Sequence, residues 1–345
     1  MQISFSKPLD HAWQRMNAFL FNPFDPGKWF VLGFTAWLAD LANGFPGGAS
    51  QNLRFSQDWD ELEVNDWASG GLELFGDFFN NPLAFIIAGM LLTVVVTIGL
   101  LVLWVSSRGS FMFLDNLVHT RTEVKAPWTE FRNQGDSLFL WQVVYSLIVL
   151  VVMGTLIAGS VMLFFPLAAA DAPAMATIPL IILAGTTAFI LITTLVFIEF
   201  CLFQFVVPIM YRNRVSTTEA WKIFLPLFRE HPGSFVLFGL LYFGIQLAGG
   251  FLYFALGLLT CCIGLVLMAI PYIGTVILLP LYALGRYLSL EFLGQFGGGF
   301  RLLQPWPGNP APPYGSSEIQ GDGTVVGPQD IGEDSGGGQA GPEDS

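Results

Sequence analysis

Charge is what this sequence has least of. Only 12% of its 345 residues are Asp, Glu, Lys or Arg, against about 25% in a soluble globular chain. Half the usual solubilising surface is missing, which excludes an ordinary soluble protein. Basic residues are scarcer still: 14 Lys and Arg stand against 26 Asp and Glu, a net charge of -12. Such a balance repels phosphate backbones, so nucleic-acid partners are excluded as the main business. Three cysteines cannot build a disulfide framework. The motifs H-E-x-x-H, G-x-S-x-G, G-x-x-x-x-G-K-[ST] and G-x-G-x-x-G are missing as well. The sequence is therefore read as a non-enzyme that needs no cofactor.

What remains is apolar. Residues of the hydrophobic class make up 53% of the chain, and the mean hydropathy is +0.61. Uncharged runs longer than about 18 residues point to membrane helices. Six apolar segments fall at about 28–43, 82–106, 137–168, 176–200, 234–259 and 272–296. The first covers roughly 22 Å at 1.5 Å per residue, less than a hydrocarbon core of about 30 Å, so it either crosses or dips and returns. Basic residues concentrate in cytoplasmic loops and arbitrate between the two. With six crossings, and Arg286 left aside inside the last segment, 12 Lys and Arg share one side and only Arg54 lies on the other. A re-entrant first segment gives nine against four. Six crossings with both termini in the cytoplasm follow, as in a multi-pass protein of a bacterial inner membrane. The uncharged stretch Ser234 to Ile270 reads as one long helix and a turn, or as two short helices.

Three regions flank or interrupt the spans. Residues 1–27 begin with Leu9, Trp13, Met16 and Leu20 at steps of 4, 3 and 4, one apolar helical face with Ser6 as its N-cap. A helix of that kind suits the cytoplasmic membrane surface better than a secretory signal does. Residues 44–80 carry seven acidic residues and one basic, the expected extracytoplasmic loop. Residues 303–345 are rich in Pro and Gly, with seven acids and no Lys or Arg, and are expected to be disordered. The transmembrane domain proper is 28–300.

An internal repeat organises the spans. Arg121 and Trp128 precede a long apolar helix, and Arg214 and Trp221 recur 93 residues later at the same spacing of seven. Trp13 opens a fainter copy. The expected architecture is all-α: six transmembrane helices as three hairpins, each preceded by a cytoplasmic amphipathic surface helix, in a pseudo-threefold repeat. Trp13, Trp128 and Trp221 are the interfacial anchors. The stretches Ser107-Arg108-Gly109-Ser110-Phe111-Met112-Phe113-Leu114-Asp115-Asn116, Phe205-Val206-Val207-Pro208-Ile209-Met210-Tyr211 and Pro271-Tyr272-Ile273-Gly274-Thr275 through Gln295-Phe296-Gly297 resemble uncharacterised bacterial six-helix membrane proteins. Their layout is similar to the glycerophosphodiester phosphodiesterase membrane domain and, more distantly, to Yip1-like proteins. The resemblance implies a fold and a membrane location. It implies no reaction, because no phosphodiesterase domain follows residue 303.

Charges inside a membrane are costly and mark pairing or function. Stepping back fifteen residues from Arg121, Arg214 and Arg301 reaches Ser106, Glu199 and Arg286. The repeat therefore sets Glu199 and Arg286 at one depth, with Arg108 near them and Gln204 and Glu291 beneath. This candidate intramembrane polar layer is a helix-locking pair, a substrate or proton site, or an exit to the interface by snorkelling. His11, His119 and His231 are read as solvated interface residues, and no metal is expected. Two function classes are left: an accessory or scaffold protein that handles lipid or supports another membrane protein, and a transporter or channel component built on the polar layer.

Overall fold

The computed structural model describes residues 3–43, 81–169, 174–260 and 263–304, with no β-strand among them. The expected extracytoplasmic loop at 44–80, the Cys261-Cys262 turn and the tail beyond Gln304 lie outside the described residues. Helix α1 runs Ser6–Leu20 and α2 Pro26–Asp40, the latter ending in a 3₁₀ turn at Leu41–Asn43. Then come α3 Pro82–Val118, α4 Lys125–Glu130 and α5 Arg132–Ala169. Helix α6 Ala174–Cys201 passes through a π-helical turn at Leu202–Val206 into α7 Val207–Asn213. After these are α8 Thr217–Glu230, α9 Pro232–Leu259, α10 Ile263–Ala269, α11 Pro271–Ile277 and α12 Leu279–Leu293.

Local chemistry fixes where several helices begin. Asp25 and Asn81 accept hydrogen bonds from first-turn N–H groups of α2 and α3, each followed by a proline at the first helical position. Ser216 and Glu219 close a capping box on α8. Backbone and side-chain bonds from Ser216 hold the exposed Glu219 carboxyl below its ordinary range. Helix α1 differs from expectation: Phe5 occupies the N-cap and donates no side-chain cap, while Ser6 is already the first helical residue.

Four stretches are long and apolar enough to cross a membrane: Pro82–Val118, Arg132–Leu163, Thr177–Asn213 and Pro232–Leu259. A fifth is reached if Pro271–Ile277 and Leu279–Phe296, bent by 62°, count as one. The first apolar segment is not among them, because α2 has only 15 residues. The long uncharged stretch is one helix of 28 residues followed by one of seven, an unequal division.

Packing is concentrated at one end of the long helices. Ser106–Leu117 of α3, Cys201–Tyr211 around the π turn and most of α12 are buried. Phe205 is fully buried against Phe224 and Phe235, with ring centroids 5.5 and 5.0 Å away, and Phe238 stacks on Phe292 at 4.2 Å. A second stack runs Phe111, Phe131, Tyr211. Such pairs add about 0.5–1.5 kcal/mol each beyond the area they bury. Helix α2 lies directly on α3: a Cβ on Gly109 would come within 2.6 Å of the Leu38 backbone, and Ser106 Oγ donates to the Ala39 carbonyl at 2.8 Å. The other ends of the spans are different. In the most apolar eighteen-residue windows of three of the four, no residue is buried.

Candidate functional site

A cavity of about 540 Å³ opens between α2, α6, α9 and α12. Its walls are Ala36, Phe113, Val196 and Phe200 among others, and its polar groups are Asp40, Glu199, Gln204, Tyr242, Tyr282 and Arg286. Val196 is 60% exposed and marks the side on which the cavity reaches the surface.

The π turn explains how Arg286 is held. Within it the Val207 N–H bonds the Leu202 carbonyl, five residues back. The next donor in that pattern would serve Phe203, but it belongs to Pro208, which has no N–H. The Phe203 carbonyl is thus left for a side chain, and Arg286 Nη1 donates to it. Asp40 is the carboxylate whose charge reaches Arg286, and the Tyr242 hydroxyl lines the same cavity. Tyr282, one helical turn before Arg286, donates its hydroxyl to Asp40 Oδ2 at 2.7 Å. The Tyr242 oxygen accepts from Gln204 Nε2 at 3.0 Å and Gln246 Nε2 at 2.9 Å. Its own proton has no acceptor among the described residues. Gln204 Oε1 accepts in turn from Ser289 Oγ at 2.6 Å. Glu199 lines the same cavity and forms no hydrogen bond or ion pair among the described residues.

Three of the five residues expected in the polar layer therefore meet: Glu199, Gln204 and Arg286. Glu199 and Arg286 do not form an ion pair, because the freed Phe203 carbonyl is what Arg286 reaches. The other two are elsewhere. Arg108 Nη2 pairs with Asp136 Oδ1 at 2.8 Å and lies over the rings of Trp104 and Trp128, 4.3 and 5.2 Å from their centroids. Trp104 Nε1 donates to the same Asp136 oxygen at 3.2 Å. Glu291 holds α1 to α12: Arg15 Nε is 2.6 Å from Oε1 and His11 Nδ1 3.6 Å from Oε2.

The three tryptophans have different surroundings. Trp13 is 56% exposed on α1. Trp128 is half-buried against Trp104, and Trp221 is half-buried on Trp141, with its indole N–H buried and unpaired. Sequence reasoning missed Asp40, Tyr242 and Tyr282. Asp40 had a signal, being the one acid at the end of the apolar run of α2, and Tyr282 had another, its one-turn spacing from Arg286. It also missed Asp115, which is 1% exposed and takes Arg121 Nη2 at 2.6 Å, the Tyr211 hydroxyl at 2.8 Å and His119 Nδ1 at 3.0 Å. The bond to Asp115 is the main reason that the Arg121 guanidinium is held above its ordinary range.

Compared with known proteins, the chain matches one family over residues 6–302, nearly all of the described region, and it belongs to that family of unknown function, DUF7544. No curated protein and no solved structure matches it.

Proposed function

We propose that the protein is a multi-pass, lipid-interacting accessory protein of the cell membrane, with both termini in the cytoplasm. The observation that carries this reading is the contrast along each span. A helix of 37 residues, as Pro82–Val118 and Thr177–Asn213 both are, is about 55 Å long, against a hydrocarbon core of about 30 Å. One part of each is buried among aromatic side chains; the other presents apolar side chains that are largely exposed. Lipid chains are the natural neighbours of that second part. With six crossings the basic residues divide twelve to one in favour of the side of the packed ends, which supports turning those ends toward the cytoplasm.

Repetition supports the three-unit organisation. Each 37-residue stretch is followed within a few residues by a left-handed one, Thr120 (φ 50°) or Arg214 (φ 55°). A short helix bearing Trp128 or Trp221 comes next, then another long apolar helix. Gly297 (φ 134°, ψ 167°) follows the last stretch, with a positive φ but an extended ψ, and α1 with Trp13 packs on α12. Six crossings on this plan require α2 and the bent α11–α12 pair each to complete one passage.

Native mass spectrometry of the full chain released from detergent tests the reading. Phospholipid should remain bound after extensive detergent exchange, and delipidated protein should melt at a lower temperature. Lipid-free protein of unchanged melting temperature would overturn it. The π turn with Pro208 beside a polar cavity favours a second reading, a transporter, because transport sites use interrupted helices. Solute flux in proteoliposomes, lost on changing Arg286, is the result that reading requires.

A further inference from the structure

We infer that the cavity holds a zwitterionic headgroup, an ammonium close to an anionic phosphate, belonging to an amine-bearing phospholipid. The inference rests on the lipid-interacting reading and specifies its ligand.

The polar groups of the cavity divide into two kinds. On one side are donors with capacity left over. Arg286 presents five N–H groups, and its only hydrogen bond among the described residues is the one to Phe203. The Tyr242 hydroxyl accepts twice and has its proton to give. Two such donors suit a phosphate oxygen, and a guanidinium matches phosphate geometry. On the other side is Glu199, a carboxylate with nothing bound to it. Asp40 differs, since it already accepts from Tyr282 and shares its field with Arg286.

Charge excludes the simpler ligands. A plain anion would sit on Arg286 with Asp40 and Glu199 both in the same cavity. A plain cation would leave the donors of Arg286 and Tyr242 unmatched, and unmatched buried donors are costly. A zwitterion satisfies both sets at once: phosphate on Arg286 and Tyr242, ammonium on Glu199. The apolar walls and the exposed Val196 then indicate what else the ligand carries. Ala36, Phe113, Val196 and Phe200 line the same cavity with apolar surface that suits acyl chains, and Val196 is exposed on α6.

The test uses the full chain in mixed nanodiscs containing equal phosphatidylethanolamine and phosphatidylglycerol, with retained lipid read by native mass spectrometry. The wild type should retain phosphatidylethanolamine in preference. Glu199→Gln should reduce that preference about tenfold, the loss of one charge-assisted hydrogen bond, and leave phosphatidylglycerol retention unchanged. This substitution removes no hydrogen bond or ion pair among the described residues, and its melting temperature should equal that of the wild type. Arg286→Lys, which keeps the charge and loses the fork, should weaken retention of both lipids. Equal retention of the two lipids by the wild type, or an unaltered preference in Glu199→Gln, overturns the headgroup assignment while leaving the lipid-interacting reading standing. No retained lipid together with no binding of phosphoethanolamine overturns both. Phosphoethanolamine alone, binding in isothermal titration with no lipid retained, keeps the ligand chemistry and overturns the lipid as its source.

Discussion

Asp115 shows how one side chain organises a junction. It is buried, and it gathers a guanidinium and an imidazole from the turn that follows α3 and a phenol from α7. Asp115→Asn keeps the shape and removes the charge that these donors share. With Arg121 one-third exposed, solvent offsets part of the loss, and we expect about 2–3 kcal/mol of destabilisation. Tyr211→Phe should cost about 1 kcal/mol. Thermal unfolding of the detergent-solubilised variants measures both; an Asp115→Asn protein as stable as the wild type would show that the network contributes nothing. At this scale the sequence is only partly legible. The repeat register sets Glu199 and Arg286 at one depth, and both line one cavity, but it carries no information on the carbonyl that Arg286 bonds. That vacancy needs the π turn and Pro208 jointly, and hydropathy sees neither. Arg108 and Glu291 found partners, Asp136 and Arg15, at distances along the chain that no spacing rule relates.

Between elements, the contact of α2 with α3 depends on the missing side chain of Gly109. A Cβ there would meet the Leu38 carbonyl carbon at 2.6 Å and the Ala39 nitrogen at 2.7 Å. Both are backbone atoms, so neither can turn aside and the helices must separate. Gly109→Ala should lower stability by about 1–3 kcal/mol, as overpacking does. Gly99→Ala in the same helix, with nothing within 4 Å, should raise stability by about 0.5–1 kcal/mol through the helix preference of alanine. Paired thermal melts decide it, and two shifts of the same sign would contradict the packing described. The long helices were legible because a run of apolar residues with no charge is its own signal. The sequence of α2 reads as a crossing segment of marginal length, and its 15 residues end at Asp40 inside a polar cavity. The kink in the last segment is invisible to hydropathy, which is continuous across it, but Pro280 signals it: the 62° bend follows Ile277, and that proline stands in the first turn of α12.

For the whole molecule, orientation is the claim to test. A Cys replacing Ser56 in a Cys-free background should react with an impermeant thiol reagent in right-side-out vesicles. A Cys replacing Thr218, exposed at the start of α8, should react only after permeabilisation. Equal labelling of both would overturn six crossings with cytoplasmic termini. A further consequence comes from the unequal packing along the spans. The aromatic end is held by interlocked rings and ion pairs, while the apolar ends are joined to it and scarcely to one another. Each span is then a rib fixed at its base. When bilayer thickness changes, an ordinary tightly packed bundle must strain its core or deform the surrounding lipid. On the proposed orientation the ribs would tilt one by one, and the strain of mismatch would be absorbed at their unpacked ends before it reached the fixed end.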